Sequence, residues 1–133
     1  MTTFEVGQEI APKSYQVTRE LLVGYANASG DQNPIHQNEE FAKSVGLPDV
    51  IAHGMFTMAL AGRYASEIAG NSGAIREFSA RFTKPVVVPA GATAEVILSA
   101  KVSAVTPESV KLDITAICNG EKVLGMTKAL FTR

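Results

Sequence analysis

The chain has 133 residues, of which 46% are apolar, with 12 Lys and Arg against 13 Asp and Glu. This length and composition are those of one globular domain, 1–133, that can build a hydrophobic core without disulfides or metals. The balanced charge offers no basic patch for nucleic acid and no polybasic anchor for a membrane.

The cysteine and hydropathy patterns indicate where the protein works. A lone cysteine, Cys118, cannot form an internal disulfide, which is compatible with a reducing compartment. The N-terminus lacks the basic and apolar regions of a signal peptide. No run approaches the ~18 apolar residues of a membrane span. We therefore expect a cytoplasmic protein.

The first half of the chain predicts a short strand near 15–17 followed by two helices. Thr18 is a good N-cap, and Gly30 is suited to end the first helix in a left-handed conformation. Asp31 would then lie on a loop just past the helix end. The second helix, over about 38–46, is short and ends at a glycine.

A helix over about 54–69 differs from the others because it is apolar on nearly all sides. Its narrow polar side carries Arg63 and Glu67, which are four residues apart and therefore within contact range. A helix of this kind has to be enclosed by other elements.

The apolar period changes from 3.6 to 2 after this helix, which predicts strands. The strands lie near 78–83, 95–104, 110–118 and 122–132, and are separated by turn signals at Pro89-Ala90-Gly91, 106–109 and Asn119-Gly120. The pattern predicts an antiparallel meander of four strands whose apolar face is covered by helix 54–69. This is an α+β arrangement, a "hot dog" in which a sheet wraps around a central helix. The last strand is apolar on both faces, which indicates a subunit interface.

The chemistry is concentrated in residues 30–36, Gly-Asp-Gln-Asn-Pro-Ile-His. A carboxylate, Asp31, and an imidazole, His36, stand five residues apart across a bend that contains Asn33 and Pro34. Asn tolerates turns, and Pro biases the residue before it toward an extended conformation. The two titratable groups could exchange a proton and activate a water held between them.

A second short motif completes the site. Gly54 lies at the start of the apolar helix, where a backbone N–H is free and is backed by the helix dipole. That N–H is a reasonable donor to a developing oxyanion. His53, directly before it, is expected to cap the helix or to support the site.

Simpler interpretations stand beside these. Asp31 is also an ordinary turn residue after a glycine, and a loop histidine such as His36 is often only solvated. Asp31, His36 and His53 could in principle form a two-histidine, one-carboxylate metal site. Their spacing matches no metal motif, so no metal is expected.

These residues resemble a known family. The motif run resembles the hydratase motif of MaoC-like proteins, the (R)-specific enoyl-CoA hydratases and (3R)-hydroxyacyl-thioester dehydratases. It comprises Tyr25-Ala26, Ser29-Gly30-Asp31-x-Asn33-Pro34-Ile35-His36, Ala42, Gly46 and Ile51-Ala52-His53-Gly54-Met55. A further stretch is similar to actinobacterial (3R)-hydroxyacyl-acyl-carrier-protein dehydratase subunits, namely Phe78-x-x-Arg81-Phe82-Thr83-x-Pro85-Val86-x-Val88-Pro89.

The resemblance implies the reaction and the roles. Asp31 and His36 would hold the water that is added to, or expelled from, the 2,3-double bond of an acyl thioester. Gly54 N–H would bind the thioester oxygen, and Asn33 would help to position the catalytic loop. No cofactor is implied, because the substrate is carried on coenzyme A or acyl carrier protein.

The resemblance also implies a partner and contains one departure. Family members pair as homodimers or as heterodimers with a second hot-dog subunit, and the apolar last strand agrees with this. Many relatives have an acid two residues after the motif histidine, where this chain has Asn38. The position is predicted to be an N-cap, a role that Asn fills equally well.

Two other functions remain open. A hot-dog acyl thioesterase usually needs an acid in or near the central helix, and here the only acid there is Glu67, near the far end and expected to pair with Arg63. A non-catalytic partner subunit of a heteromeric dehydratase is the other alternative, against which the intact Asp31 and His36 argue. Arg81 and Lys84 are candidates for contacts to a substrate phosphate.

Overall fold

The computed structural model describes residues 3–133 as one antiparallel sheet with helices on it. In chain order the elements are β1 (Glu9–Val17), α1 (Arg19–Ser29), α2 (Glu39–Ser44), α3 (Gly54–Ala69), β2 (Ile75–Phe82), β3 (Ala94–Val105), β4 (Ser109–Cys118) and β5 (Glu121–Thr132). The five strands are arranged in the order β1-β3-β4-β5-β2. Helix α3 packs against β2, β4 and β5, which confirms the α+β hot-dog arrangement.

Strands β3 and β4 follow the predicted alternation closely. Every second residue is buried on one face of the sheet: Ala94, Val96, Leu98, Ala100 and Val102 on β3, and Val110, Leu112, Ile114, Ala116 and Cys118 on β4. The hairpin between β4 and β5 turns at Asn119 and Gly120, which both have positive φ, at 52° and 76°. Two positive φ values are typical of the turn that matches the twist of antiparallel strands.

The predicted four-strand meander is wrong in its order. Only β3, β4 and β5 form a meander, while β2 pairs with β5 at one edge and β1 pairs with β3 at the other. The connection 83–93 carries two prolines and buries Val86 and Val88, so it crosses the molecule instead of forming a hairpin. Strand β1 is also longer than the predicted 15–17, because it pairs with β3 over most of its length.

Helix α3 has the predicted bounds but is not enclosed within a single chain. Its buried residues are Thr57, Ala61, Tyr64 and Ala65. Met55 is 56% exposed and Ala59 is exposed as well. Helix α3 is not enclosed because one sheet can cover only one face of a helix, and the opposite apolar face therefore stays exposed.

The last strand, β5, is not a sheet edge, so two subunits cannot pair edge to edge along it. It lies between β4 and β2. Its two apolar faces result from a register shift near Gly125, which allows both Val123 and Leu124 to be buried although they are adjacent. The edges of the sheet are β1 and β2.

The helix ends confirm the capping signals in the first half of the chain. The Thr18 side chain accepts a hydrogen bond from Leu21 N–H, and Asn38 accepts one from Phe41 N–H. Gly30 ends α1 with φ at +82°. Over residues 3–133, no helix has both the length and the apolar character that crossing a bilayer requires.

Candidate active site

Asp31 is held by a chain of local turns that begins where α1 ends. Gly30 reverses the backbone, and its N–H bonds Ala26 O at 2.9 Å. Asp31 Oδ1 then accepts from Asn33 N–H at 3.1 Å, and Asn33 Oδ1 accepts from Ile35 N–H at 3.2 Å. Two successive turns of this type fix the path of the loop. The Asp31 carboxylate is exposed. The hydrogen bonds of these turns hold it in position.

His36 lies at the end of a short 3-10 helix, Pro34–His36, and is only 8% exposed. Its Nδ1 is 2.8 Å from the main-chain oxygen of Ile51. Because a carbonyl only accepts, Nδ1 must carry the hydrogen and Nε2 keeps its lone pair. Burial lowers the pKa of His36, while the hydrogen bond to Ile51 partly opposes that shift. His36 is therefore suited to accept a proton at neutral pH.

The stretch 50–54 is held by the crossing connection rather than by the sheet. Val88 N–H donates to Val50 O at 2.8 Å, and Ala52 N–H donates to Val86 O at 2.9 Å. Arg19, at the start of α1, pairs with Asp49 at 2.6 Å. These contacts join the first helix, the connection and the start of α3 around the site.

His53 lies directly behind His36 and is only 1% exposed. The two imidazoles are stacked, with ring centroids 3.9 Å apart. His53 Nε2 is 3.1 Å from the main-chain oxygen of Asp31. It occupies the N-cap position of α3, as expected, but its side chain makes no capping bond and is turned to the site instead. Its Nδ1 is buried with no hydrogen-bond partner among residues 3–133.

A cavity of about 310 Å³ lies in front of His36 and the first turn of α3. It is lined by His36, Ile51, Ala52, Gly54, Thr57, Phe82, Thr83, Lys84, Pro85, Val86 and Val123. Gly54 is the first residue of α3, where backbone N–H groups have no acceptor within the helix. A carboxylate oxygen of Asp31 and a ring nitrogen of each histidine lie within 4.8 Å of one another. The imidazole of His36 and the N-terminus of α3 therefore both face the cavity, and the carboxylate of Asp31 lies beside them.

The family of the chain follows from comparison with known proteins. The model of the MaoC-like domain matches residues 2–119. The chain belongs to the MaoC-like domain family. Over 77 residues it is 47% identical to 3-hydroxyacyl-thioester dehydratase X of Mycobacterium tuberculosis, covering 58% of this chain. This MaoC-like chain spans 26% of that relative's length.

Solved structures agree with the fold. A MaoC-like dehydratase superposes with a TM-score of 0.93 at 35% identity, over 96% of this chain and 40% of the other. The ChsH1-ChsH2 complex from Mycobacterium tuberculosis includes a chain with a TM-score of 0.86 at 21% identity, covering 98% of this MaoC-like chain and 100% of that one. The latter similarity concerns the fold alone.

The sequence-predicted site residues of this MaoC-like chain all lie together. His36 and Gly54 line the cavity, and Asp31 and His53 lie next to His36. Asn33 fixes the loop between Asp31 and His36. Lys84 lines the cavity, whereas Arg81 is exposed on β2 and does not.

The same geometry is poorly suited to a metal ion, although the three side chains are close. The lone pair of an imidazole nitrogen lies in the plane of its ring. The planes of His36 and His53 are inclined by only 23° and the rings are stacked, so their nitrogens do not converge on one point. Each ring also has one nitrogen engaged with a main-chain carbonyl.

Several cavity residues were not among the predicted site residues. Thr57, one turn into α3, is buried and lines the cavity. Its hydroxyl in an otherwise apolar stretch was an available signal. Phe82 and Thr83 lie in the second stretch that resembles the family, but their place in the cavity wall depends on the long-range pairing of β2 with β5.

Proposed function

We propose that this chain catalyses the reversible addition of water to trans-2-enoyl thioesters, giving (3R)-3-hydroxyacyl thioesters in fatty acid metabolism. The observation that carries the proposal is that His36, with its Nε2 lone pair, and the N-terminus of α3 at Gly54 meet at one cavity with Asp31 beside them. The named activity of the similar mycobacterial dehydratase supports the same reaction. We further propose that residues 1–133 act as one domain.

The proposed catalytic residues are Asp31 and His36, which hold one water between them. In hydration the C3–O and C2–H bonds form, while the π bond and one O–H bond of water break. One of the two side chains serves the oxygen at C3 and the other moves the proton at C2, so no net proton is consumed. Each such positioned group contributes typically ~10²–10⁴-fold in rate.

Gly54 N–H is the proposed oxyanion donor. Negative charge develops on the thioester oxygen as the C3–O bond forms, and a preorganised N–H at a helix N-terminus stabilises it. All of these groups belong to the protein, so the proposed reaction needs no metal or cofactor.

The proposed substrate is an acyl thioester of coenzyme A or acyl carrier protein. The cavity is mainly apolar around Ile51, Val86 and Val123, which suits an acyl chain. Lys84 lies on the same wall and is a candidate contact for a phosphate of the carrier. The lone cysteine is consistent with a cytoplasmic location.

We propose that the chain pairs with a second hot-dog subunit, as a homodimer or a heterodimer. The open apolar face of α3, with Met55 and Ala59 exposed, supports this, as does the edge strand β2 beside it. Exposed apolar surface of this kind usually marks an interface. The chain of similar fold in the ChsH1-ChsH2 complex also works beside a partner.

The test is to mix the purified chain with trans-2-butenoyl-CoA and follow the conjugated enoyl absorbance and free thiol together. Loss of absorbance without thiol release, with (3R)-3-hydroxybutanoyl-CoA as product, is the expected result. Release of thiol instead would identify a thioesterase. The structure argues against that alternative, because Glu67 bonds both Lys13, at 2.5 Å, and Arg63, at 3.2 Å, on an exposed side. No change with or without a second hot-dog subunit would contradict the proposal.

A further inference from the structure

We propose that His53 is a positioning residue that locks the catalytic loop to the oxyanion-binding helix end. This inference rests on the proposed function of the site. His53 contacts three parts of the site at once: it bonds the main-chain oxygen of Asp31, stacks on His36, and directly precedes Gly54 in the chain.

The hydrogen bond determines how His53 must be protonated. The main-chain oxygen of Asp31 only accepts, so Nε2 of His53 carries the hydrogen. In the neutral ring Nδ1 is then a bare acceptor, and no donor faces it within the described part of the chain. A buried acceptor without a partner is unfavourable. An apolar ring would fill the same space without an unpaired nitrogen. A histidine at this position is therefore explained by the hydrogen bond that its Nε2 makes to Asp31, in addition to its stacking on His36.

The hydrogen bond from His53 to Asp31 fixes the distance between the two parts of the site on which the reaction depends. Asp31 and Gly54 lie on elements that are far apart in the chain, the loop after α1 and the start of α3. Their carboxylate and N–H must act on the same substrate, so the distance between them has to be held. The imidazole of His53 spans this gap and also supports the ring of His36 from behind, at 3.9 Å between centroids.

His53 is not placed to act on the substrate itself. It is 1% exposed and does not line the cavity, whereas His36 and Gly54 do. Tyr25 covers a further side of its ring, with centroids 4.8 Å apart. Its effect on the reaction must therefore pass through Asp31, His36 and Gly54.

Two variants separate the hydrogen bond from the stacking. His53→Phe keeps an aromatic ring against His36 but removes the N–H. His53→Gln loses the ring but places an amide N–H the same number of bonds from Cα as the imidazole Nε2. Tyr64→Phe is the matched control, because Tyr64 is a buried α3 residue whose hydroxyl also donates to a main-chain oxygen, that of Ala11 at 2.7 Å, away from the cavity.

With trans-2-butenoyl-CoA, His53→Phe is expected to lower kcat by about 10- to 100-fold with KM within about twofold, since a displacement of about 1 Å costs on this order. His53→Gln should recover most of that loss. Tyr64→Phe should lower the unfolding temperature and leave kcat unchanged. Near-normal kcat in His53→Phe would overturn the proposal, as would an equal loss in His53→Phe and His53→Gln.

A second experiment, by NMR spectroscopy, uses only the wild-type protein and does not depend on its enzymatic activity. In the wild-type protein, long-range ¹H–¹⁵N spectra should show His53 with its hydrogen on Nε2 and His36 with its hydrogen on Nδ1. A His53 ring with its hydrogen on Nδ1 and none on Nε2 would overturn the proposed contact. If the wild type does not hydrate the enoyl thioester, the proposed function fails, and this experiment still decides whether His53 holds Asp31.

Discussion

The two ring nitrogens of His36 lie in different surroundings, and this makes the residue chemically useful. Nδ1 is engaged by the main-chain oxygen of Ile51, while Nε2 keeps its lone pair. The ring is almost wholly buried, so its charged form is disfavoured. The fold thus selects both the tautomer and the neutral state that a proton acceptor needs.

The activity should therefore fall in acid as His36 becomes protonated. Burial lowers the pKa of His36, so the acid limb of kcat/KM is expected below the ordinary histidine value of about 6.5, with full activity at neutral pH. A pH profile with trans-2-butenoyl-CoA, accompanied by circular dichroism at each pH to exclude unfolding, measures this. An acid limb above about 6.5 would show that His36 is not the group that titrates.

The sequence predicted residues that the fold brings together at the candidate site, but not how they are held. Asp31, His36 and Gly54 were predictable because a carboxylate, an imidazole and a helix start have recognisable chemistry. The bond to Ile51 and the stacking of His53 were not, since both depend on bringing the loop 30–36 against a segment 15 or more residues away.

At the scale of elements, the start of α3 and the end of β2 meet at the cavity. A Cβ placed on Gly54 would lie 3.3 Å from the ring of Phe82, which is 56% exposed and able to move. The absence of a side chain at Gly54 therefore keeps both the N–H and the ring of Phe82 in place.

We expect Gly54→Ala to lower kcat/KM by about tenfold or more, because the added methyl displaces Phe82 and narrows the approach to the N–H. Adding Phe82→Leu should relieve the contact and restore part of the loss. The double-mutant cycle, measured with trans-2-butenoyl-CoA, should give a clear interaction between the two sites. Effects that simply add would contradict the contact.

Strand β5 contains a bulge that shapes the wall of the cavity. Met126 has φ at +47° although it is not glycine, and it is 61% exposed. A Cβ on the preceding Gly125 would lie only 2.9 Å from Thr83 Cγ2. Thr83 lines the cavity and its hydroxyl donates to Lys122 O at 2.7 Å. Close packing at the bulge thus fixes part of the wall.

Gly125→Ala is expected to reduce the free energy of unfolding by about 1–3 kcal/mol, as overpacking does. Combining it with Thr83→Ser, which removes Cγ2 and keeps the hydroxyl, should recover most of the loss. Gly24→Ala in α1 is the control: open space surrounds this glycine, so stability should rise by up to about 1 kcal/mol. Urea unfolding measures all four proteins. A Gly125→Ala variant as stable as the wild type would exclude the contact.

The helices and the regular strands were predictable from local signals alone. Caps at Thr18, Gly30 and Asn38, and the alternation along β3 and β4, depend only on neighbouring residues. The bulge near Gly125 was hidden because adjacent Val123 and Leu124 both read as apolar, and periodicity cannot show where a register shifts.

At the scale of the whole molecule, the sheet order decides which surfaces are open. Strand β2 pairs with β5 instead of β3. This pairing is long-range, and turn signals in the sequence cannot predict it. As a result β2 is an edge, and the apolar side of α3 near Met55 and Ala59 is uncovered. The sequence indicated that α3 is apolar on nearly all sides. Within one chain, the sheet buries only one of its faces.

The proposed pairing predicts a mass near twice 14.1 kDa in solution if the chain forms a homodimer. Ala59→Arg, which puts a charge on the open face of α3, should then shift the chain to a monomer and reduce its activity. Val6→Arg is the control, since Val6 is 67% exposed and lies by the opposite edge strand, β1. Sedimentation equilibrium measures the mass. A dimer unchanged by Ala59→Arg would place the interface elsewhere, and a wild-type monomer that pairs only with a second hot-dog subunit would identify the heterodimer.

The central claim is that Asp31 and His36 together hydrate an enoyl thioester, and one comparison tests it most directly. The initial rate of loss of enoyl absorbance from trans-2-butenoyl-CoA is measured for the wild type, Asp31→Asn and His36→Ala, with circular dichroism to show that all three are folded. We predict hydration by the wild type and a loss on the order of 10²–10⁴-fold in each variant. Wild-type rates in either variant would contradict the account.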